Sequence, residues 1–248
     1  MKPEIITLHG DCLEIMPTLR AGSFNAVICD LPYGITACEW DTVIPFVPMW
    51  ENIKRLIKPN GAVVLFGSQP FTSKLIMSNL GWFKYEWVWN KKAVTNVGNA
   101  KKQPLRCHEN ILYFCEGTGV YNPQFEPEKT AKRLGGKSKG KSKIVGSMGD
   151  NYETNVGYPK SIIEIMRPNN LVGDGGYHPT QKRTELMEYL IRTYTDPGDR
   201  ILDFAAGSGT TGIAADNTGR DCVMIEKEER FYEVAKERLK NNGRMFRY

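Results

Sequence analysis

Asp30-Leu31-Pro32-Tyr33 stands directly after the apolar run Asn25-Ala26-Val27-Ile28-Cys29. Such a run reads as a buried strand, so the tetrapeptide is expected at the carboxyl edge of a sheet, where open α/β folds bind ligands. Its residue types suit one kind of chemistry. An aromatic exocyclic amine is a poor nucleophile, because its lone pair is delocalised into the ring. Two acceptors that hold its two N–H bonds favour a pyramidal nitrogen with the lone pair aimed at an electrophile. Asp30 offers one acceptor and the carbonyl of Leu31 the second, while Tyr33 offers a ring on which an extruded base can stack. Positive charge developing on the nitrogen would also be stabilised by Asp30. The alternative is a plain strand-ending turn, in which Asp and Pro are common.

A second group with chemical potential lies near the other end of the chain. Gly207-Ser208-Gly209-Thr210-Thr211-Gly212 follows the strand-like Ile201-Leu202-Asp203-Phe204 and opens a helix-like segment. Glycines in that setting let the backbone turn sharply and approach a nucleotide closely. Glu226, with Lys227 beside it, ends the next strand, at a spacing from which a carboxylate can accept hydrogen bonds from ribose hydroxyls. Asp203 sits where a dinucleotide would place its pyrophosphate, and it would repel that dianion. S-adenosylmethionine instead carries an ammonium and a sulfonium, which a carboxylate favours. Asp203 could alternatively cap the following loop.

The elements that must position these groups follow from periodicity. Short strands are expected at residues 5–8, 25–29, 62–66, 85–89 and 110–114, and helices at 12–19 and 49–57. Lys58-Pro59-Asn60-Gly61 is expected to end the second helix in a turn. Between about residues 117 and 177 Gly, Pro, Lys, Ser and Asn dominate, and only residues 161–166 read as a strand. That stretch is too long for an ordinary connection and is read as functional, unstructured or a small insert. Alternation resumes with a helical stripe of Leu186, Met187, Leu190, Ile191 and Tyr194, then strands at 201–204 and 222–225 and helices from 210 and over 231–239. The pattern predicts an α/β fold with a mainly parallel sheet and helices on both faces. Residues 1–116 and 178–248 would form its two halves, with 117–177 inserted between them.

Composition narrows the class further. With 41% hydrophobic and 25% charged residues, the 248-residue chain reads as globular, and no apolar run approaches a membrane span. The N-terminus lacks the apolar run of a signal peptide, so a cytoplasmic protein is expected. Six scattered cysteines and three histidines show no paired ligand spacing, so no metal is expected. Lys129, Lys132, Arg133, Lys137, Lys139, Lys141 and Lys143 form a basic run without one acid. They suit phosphate contacts, the alternative being a solvated loop. Asn96, Asn99, Arg106 and His108 carry polar groups of the kind that bond base edges or phosphates and are weaker candidates for that role.

Taken together, these motifs resemble the β class of DNA amino-methyltransferases. The catalytic motif of that family reads Asp-Pro-Pro-Tyr, which Asp30-Leu31-Pro32-Tyr33 matches except at Leu31, whose carbonyl serves equally well. Gly10-Asp11-Cys12-Leu13 resembles the segment that contacts the adenosine of the cofactor. Asp203-Phe204-Ala205-Ala206-Gly207-Ser208-Gly209-Thr210-Thr211 resembles the cofactor loop, although Phe204 and Ala205 stand where Pro and Phe are common. His178-Pro179-Thr180-Gln181-Lys182 resembles the segment that helps enclose the methionine end of the cofactor, with Arg183 in place of a common Pro. The resemblance implies a Rossmann-like methyltransferase fold, S-adenosylmethionine as cofactor, double-stranded DNA as partner and a target-recognition role for the insert. It also implies a bacterial or phage setting, restriction-modification and a possible homodimer. Asp in the first catalytic position favours adenine over cytosine as the target base. The rival readings are a dinucleotide-dependent oxidoreductase, which leaves Asp30 to Tyr33 without a role, and a non-catalytic DNA-binding protein. A methyltransferase acting on RNA or protein glutamine fits the order of motifs less well.

Overall fold

The computed structural model describes residues 2–35, 38, 41–95, 97–125, 157–166 and 181–242. The chain divides into two compact units, Met1–Asn122 with Ser161–Tyr248, and Pro123–Lys160. Residues 117–122 and 161–166, which the composition groups with the insert, thus belong to the first unit. In the second unit the rings of Phe125 and Tyr158 meet edge to face, 4.8 Å apart.

The first unit is built on one sheet. Its strands are β1 (Ile5–His9), β2 (Phe24–Cys29), β3 (Ile57–Gly67), β4 (Phe83–Thr95), β5 (Arg106–Phe114), β6 (Ile162–Ile163), β7 (Arg200–Asp203) and β8 (Asp221–Glu226). They lie in the order β1-β8-β7-β2-β3-β5-β4-β6. Pairing is parallel from β1 through β3 and between β4 and β6, and antiparallel where β5 meets β3 and β4. The helices are α1 (Cys12–Ile15), α2 (Phe46–Leu56), α3 (Phe71–Ser78), α4 (Thr184–Tyr194), α5 (Thr210–Thr218) and α6 (Glu229–Asn242).

Alternate residues of the central strands feed two cores. Ala26, Ile28, Val64, Phe66 and Met224 face the side covered by Leu186, Leu190 and Ile191 of α4 and Ala214 of α5. Val27, Cys29, Val63, Leu65 and Val223 face the side covered by Met49, Trp50 and Ile53 of α2 and Phe71 and Leu75 of α3. This two-residue alternation, with apolar residues on both sides, is why these strands read as unbroken apolar runs. The mainly parallel, doubly covered sheet matches the expectation.

Several boundaries differ. The helix expected over 12–19 is α1 followed by a tighter turn at Met16–Thr18, because Pro17 has no N–H to continue an α-helix. Lys58 to Gly61 do turn, with Asn60 at a left-handed φ of 60°, but the sheet does not stop there. Ile57 pairs with Phe24 and Ala62 with Ala26, so the intervening residues bulge out of a continuing ladder. The strand expected over 161–166 shrinks to Ile162–Ile163, paired with Val88 and Trp89. Helix α3 has no counterpart in the sequence reading. Its buried face is only Phe71, Thr72 and Leu75, too short a stripe to declare a period.

Candidate active site

β7 and α5 are joined by the glycine loop. Gly207 and Gly209 take φ of 53° and 77°, in the left-handed region that other residues avoid. Gly212 serves a different purpose. A Cβ there would lie 2.6 Å from Met224 Cε, so its absence lets α5 approach β8 closely.

Asp203, at the tip of β7, is only 3% exposed. Its carboxylate accepts the Ala205 N–H at 3.2 Å and the Thr211 hydroxyl at 2.5 Å. Burial pushes its pKa up to about 6, against the pull of the Thr211 and Ala205 hydrogen bonds. The loop-capping reading of Asp203 is therefore the one its hydrogen bonds express, and it remains on the wall of the cleft described below. Glu226, at the tip of β8, accepts the Gly207 N–H at 2.6 Å and the Glu228 N–H at 2.8 Å. Burial raises its pKa as well. A third support is Arg238 of α6, which donates to the carbonyl and hydroxyl of Ser208 at 2.6 and 2.9 Å. No sequence motif marks that arginine, since an Arg on a polar helix face has no periodic signature.

At the tip of β1, Gly10 donates its N–H to the Glu226 carbonyl at 3.0 Å. Asp11 caps α1 by accepting the Leu13 N–H at 2.9 Å, and its other oxygen lies 3.1 Å from Lys227 Nζ. Cys12 is buried and its thiol pKa is pushed up to about 12, mainly by desolvation, so it acts as an apolar wall and not as a nucleophile.

The tetrapeptide follows β2 at the same edge. Asp30 Oδ1 accepts the Tyr33 hydroxyl at 2.8 Å, and Oδ2 lies 2.5 Å from Lys182 Nζ. Lys182 Nζ also lies 3.2 Å from Glu109 Oε2 of β5, whose other oxygen is 3.0 Å from Lys91 Nζ of β4. Burial alone would raise the pKa of Asp30; Lys182 opposes that rise and Glu109 adds to it, and the net direction is upward. Desolvation would lower the pKa of Lys182, but the two carboxylates outweigh it and hold the ammonium charged. Leu31 is buried in the core, and the Tyr33 ring packs 5.2 Å from that of Phe71.

A cleft of about 240 Å³ opens along this edge. Asp11, Cys12, Asp30, Leu31, Pro32, Lys182, Asp203, Phe204, Ala205, Gly207, Ser208, Thr210, Thr211, Glu226 and Lys227 all line it, so residues from both ends of the chain share one cavity. Phe204 is 2% exposed and its ring belongs to the core, which limits what it can offer a ligand. Gly209 and Tyr33 are not on the wall; Gly209 lies against Ala235 instead. Thr42 to Pro45, Met187 and Phe231 also line the cleft, and the sequence reading assigns none of them to a site; Gln181, from the segment read as enclosing the cofactor, lines it too. Arg106 donates to the Ser68 hydroxyl at 2.9 Å and the Gln69 carbonyl at 3.4 Å, which fixes its guanidinium within the protein. Asn99 is half-buried in a single turn, and His108 is exposed on β5. His178, Pro179, Thr180, Asn96 and the basic run from Lys129 to Lys143 lie outside the described residues.

Residues 24–237 match the family model described as DNA methylase. The chain is 27% identical to the Type II methyltransferase M.HinfI of Haemophilus influenzae, over 94% of this chain and 67% of that protein. It is 24% identical to the Type II methyltransferase M2.DpnII of Streptococcus pneumoniae, over 96% and 90% of the two chains. Among solved structures, the PvuII DNA methyltransferase (cytosine-N4-specific) superposes with a TM-score of 0.69 at 17% identity, over 96% of this chain and 88% of that one. The M1.HpyAVI–SAM complex superposes with a TM-score of 0.62 at 22% identity, over 94% and 98%.

Proposed function

The chain belongs to the DNA methylase family, and from that premise we propose that it methylates the exocyclic amino group of adenine in double-stranded DNA. It is an S-adenosylmethionine-dependent DNA methyltransferase. The dinucleotide-dependent oxidoreductase and the bare DNA-binding protein are thereby set aside. One observation carries the mechanistic reading: Asp30, Leu31 and Pro32 line the same cleft as Asp11, Gly207 and Glu226. In this reading the groups that bind the cofactor and the acceptors for the target amine share one space.

The residues present fit the cofactor. Glu226 and Asp11 are carboxylates on the cleft wall, able to accept from hydroxyl and ammonium groups, and the glycine loop brings its backbone to Glu226. S-adenosylmethionine supplies an electrophilic methyl group on sulfonium. Asp30 accepts one N–H of the target amine through a free lone pair of its carboxylate, and the Leu31 carbonyl accepts the other. Asp30 also stabilises the positive charge that grows on nitrogen and is placed to receive its proton. The Tyr33 hydroxyl donates to Asp30, and its ring, which lies off the cleft wall, would have to turn toward the cleft to stack on the base. The basic run of Lys129, Lys132, Arg133, Lys137, Lys139, Lys141 and Lys143 tracks phosphates in this reading, and Asn96 and Asn99 are candidates for base contact.

Adenine is favoured because Asp holds the first position of the tetrapeptide. Cytosine keeps one specific support, the superposition on a cytosine-N4-specific enzyme. Expression in a methylation-deficient host, followed by modification-sensitive sequencing, decides between them. 6-Methyladenine at a fixed sequence supports the proposal, 4-methylcytosine transfers it to the alternative, and unmodified DNA overturns both. A homodimer and a cytoplasmic location complete the reading. Among the described residues no helix is long and apolar enough to cross a membrane.

A further inference from the structure

Lys182 is expected from its motif to border the cofactor, yet its ammonium is turned to Asp30. The side chain is 6% exposed and lies between two carboxylates, 2.5 Å from Asp30 Oδ2 and 3.2 Å from Glu109 Oε2. Three rings surround the ammonium, with centroids at 5.0 Å for Phe66 and 5.9 Å for both Tyr33 and Trp89. Aromatic faces favour the cation and displace water, so its interaction with Asp30 is weakly screened. Behind it, Glu109 is fixed by Lys91, itself a buried residue on β4. The result is a chain of alternating charges, Asp30–Lys182–Glu109–Lys91, that ends on the tetrapeptide.

The geometry points to Lys182 as a positioning residue that keeps Asp30 ionised and fixes its orientation for the target amine, with Glu109 and Lys91 holding Lys182 in place. This rests on the reading of Asp30 as the acceptor of that amine. A protonated Asp30 would have only one oxygen free to accept and would not stabilise a cationic nitrogen. The surroundings otherwise work against the anion. Besides Lys182, Asp30 faces the Tyr33 phenol on its own loop, the Cys29 thiol on β2, Asp203 on β7 and Glu109 on β5. Of these groups only Lys182 carries positive charge. Burial raises the Asp30 pKa, and Lys182 is the largest opposing influence.

The test uses the full chain with S-adenosylmethionine and the duplex identified by host sequencing, in single-turnover methylation across pH. Lys182→Met should move the acid limb of the rate profile upward by roughly 1–3 pH units, the effect of removing an adjacent opposite charge. Lys182→Arg should restore most of that shift. Glu109→Gln should move the limb downward, since it removes a competing carboxylate and leaves Lys182 to Asp30 alone. Opposite shifts from two members of one network would not arise from a merely structural role. As a readout independent of turnover, the Asp30 carboxyl should titrate higher in Lys182→Met by carbon NMR of labelled aspartate, assigned with Asp30→Asn. An unmoved limb in Lys182→Met overturns the inference. If that variant does not fold, Glu109→Gln decides alone: a downward limb supports the inference, and an unmoved or upward one overturns it. Asp30→Ala separates the two layers of the argument. It should cost at least ~10²-fold in rate with cofactor affinity retained. Methylation above about a tenth of wild type in Asp30→Ala would remove Asp30 itself, whereas an inactive Asp30→Ala with an unmoved Lys182→Met limb removes only Lys182.

Discussion

Glu226 accepts the backbone N–H of Gly207 at 2.6 Å, tying the end of β8 to the first turn of the glycine loop. The same carboxylate takes the Glu228 N–H at 2.8 Å through its other oxygen. One residue thus shapes the loop and lines the cleft. Glu226→Ala should therefore weaken S-adenosylmethionine binding by roughly 1.5–3 kcal/mol, the range for charge-assisted hydrogen bonds. Glu226→Gln retains an acceptor for Gly207 and should lose less. Calorimetry giving equal affinity for all three proteins would reduce Glu226 to a strand-end acid without a ligand.

Asp203 gives stability an unusual pH dependence. Its pKa is about 6 in the folded protein, against roughly 3.9 for an unfolded aspartate. Between those values the folded chain keeps a proton that the unfolded chain has released. Its contribution therefore falls as pH rises through that window and is lowest above it, a change on the order of 3 kcal/mol. Urea unfolding of wild type and Asp203→Asn at several pH values isolates the effect. The difference in stability should move in favour of Asn as pH rises from about 4 to about 6, and a flat difference contradicts the assignment.

Two glycines at the ends of α5 separate backbone strain from crowding. Gly209 and Gly219 both have φ of +77°, but a Cβ on Gly209 would lie 2.7 Å from Ala235 Cβ, while one on Gly219 meets nothing within 4 Å. Gly219→Ala should cost about 1–2 kcal/mol from the left-handed backbone alone. Gly209→Ala adds a clash between α6 and the loop and should cost roughly 2–4 kcal/mol. Equal losses in chemical denaturation would mean that α6 shifts freely to make room.

The basic run contributes charge to DNA binding in the proposed reading. Replacing Lys137, Lys139, Lys141 and Lys143 by Gln should weaken binding about equally on target and non-target duplexes. The slope of log affinity against log salt should flatten by roughly 0.9 for each phosphate that is no longer neutralised. An unchanged slope would make the run a solvated segment, and a changed methylation sequence with an unchanged slope would assign it to base reading.

The doubly covered sheet was legible in the sequence because strand alternation and helical stripes are local signals. So was the placing of Gly207, Glu226 and Asp30-Leu31-Pro32 along one cleft, since each follows from residues adjacent in the chain or from the end of one strand. Where local signals were short or overruled, the reading failed: α3 buries too few residues to show a period, and the bulge at residues 58–61 continues because β2 supplies a partner on both sides of it. The environment of Asp30 belongs to tertiary structure alone. Lys182 is 152 positions away in sequence, and Glu109 and Lys91 come from an antiparallel pair whose register no local pattern encodes. The sequence determined which residue types could accept an amine and hold a nucleotide. Only the packing of β2, β4 and β5 against the segment before α4 decided that Asp30 is half-buried beside a lysine. Burial and proximity set its charge, and both are properties of the fold.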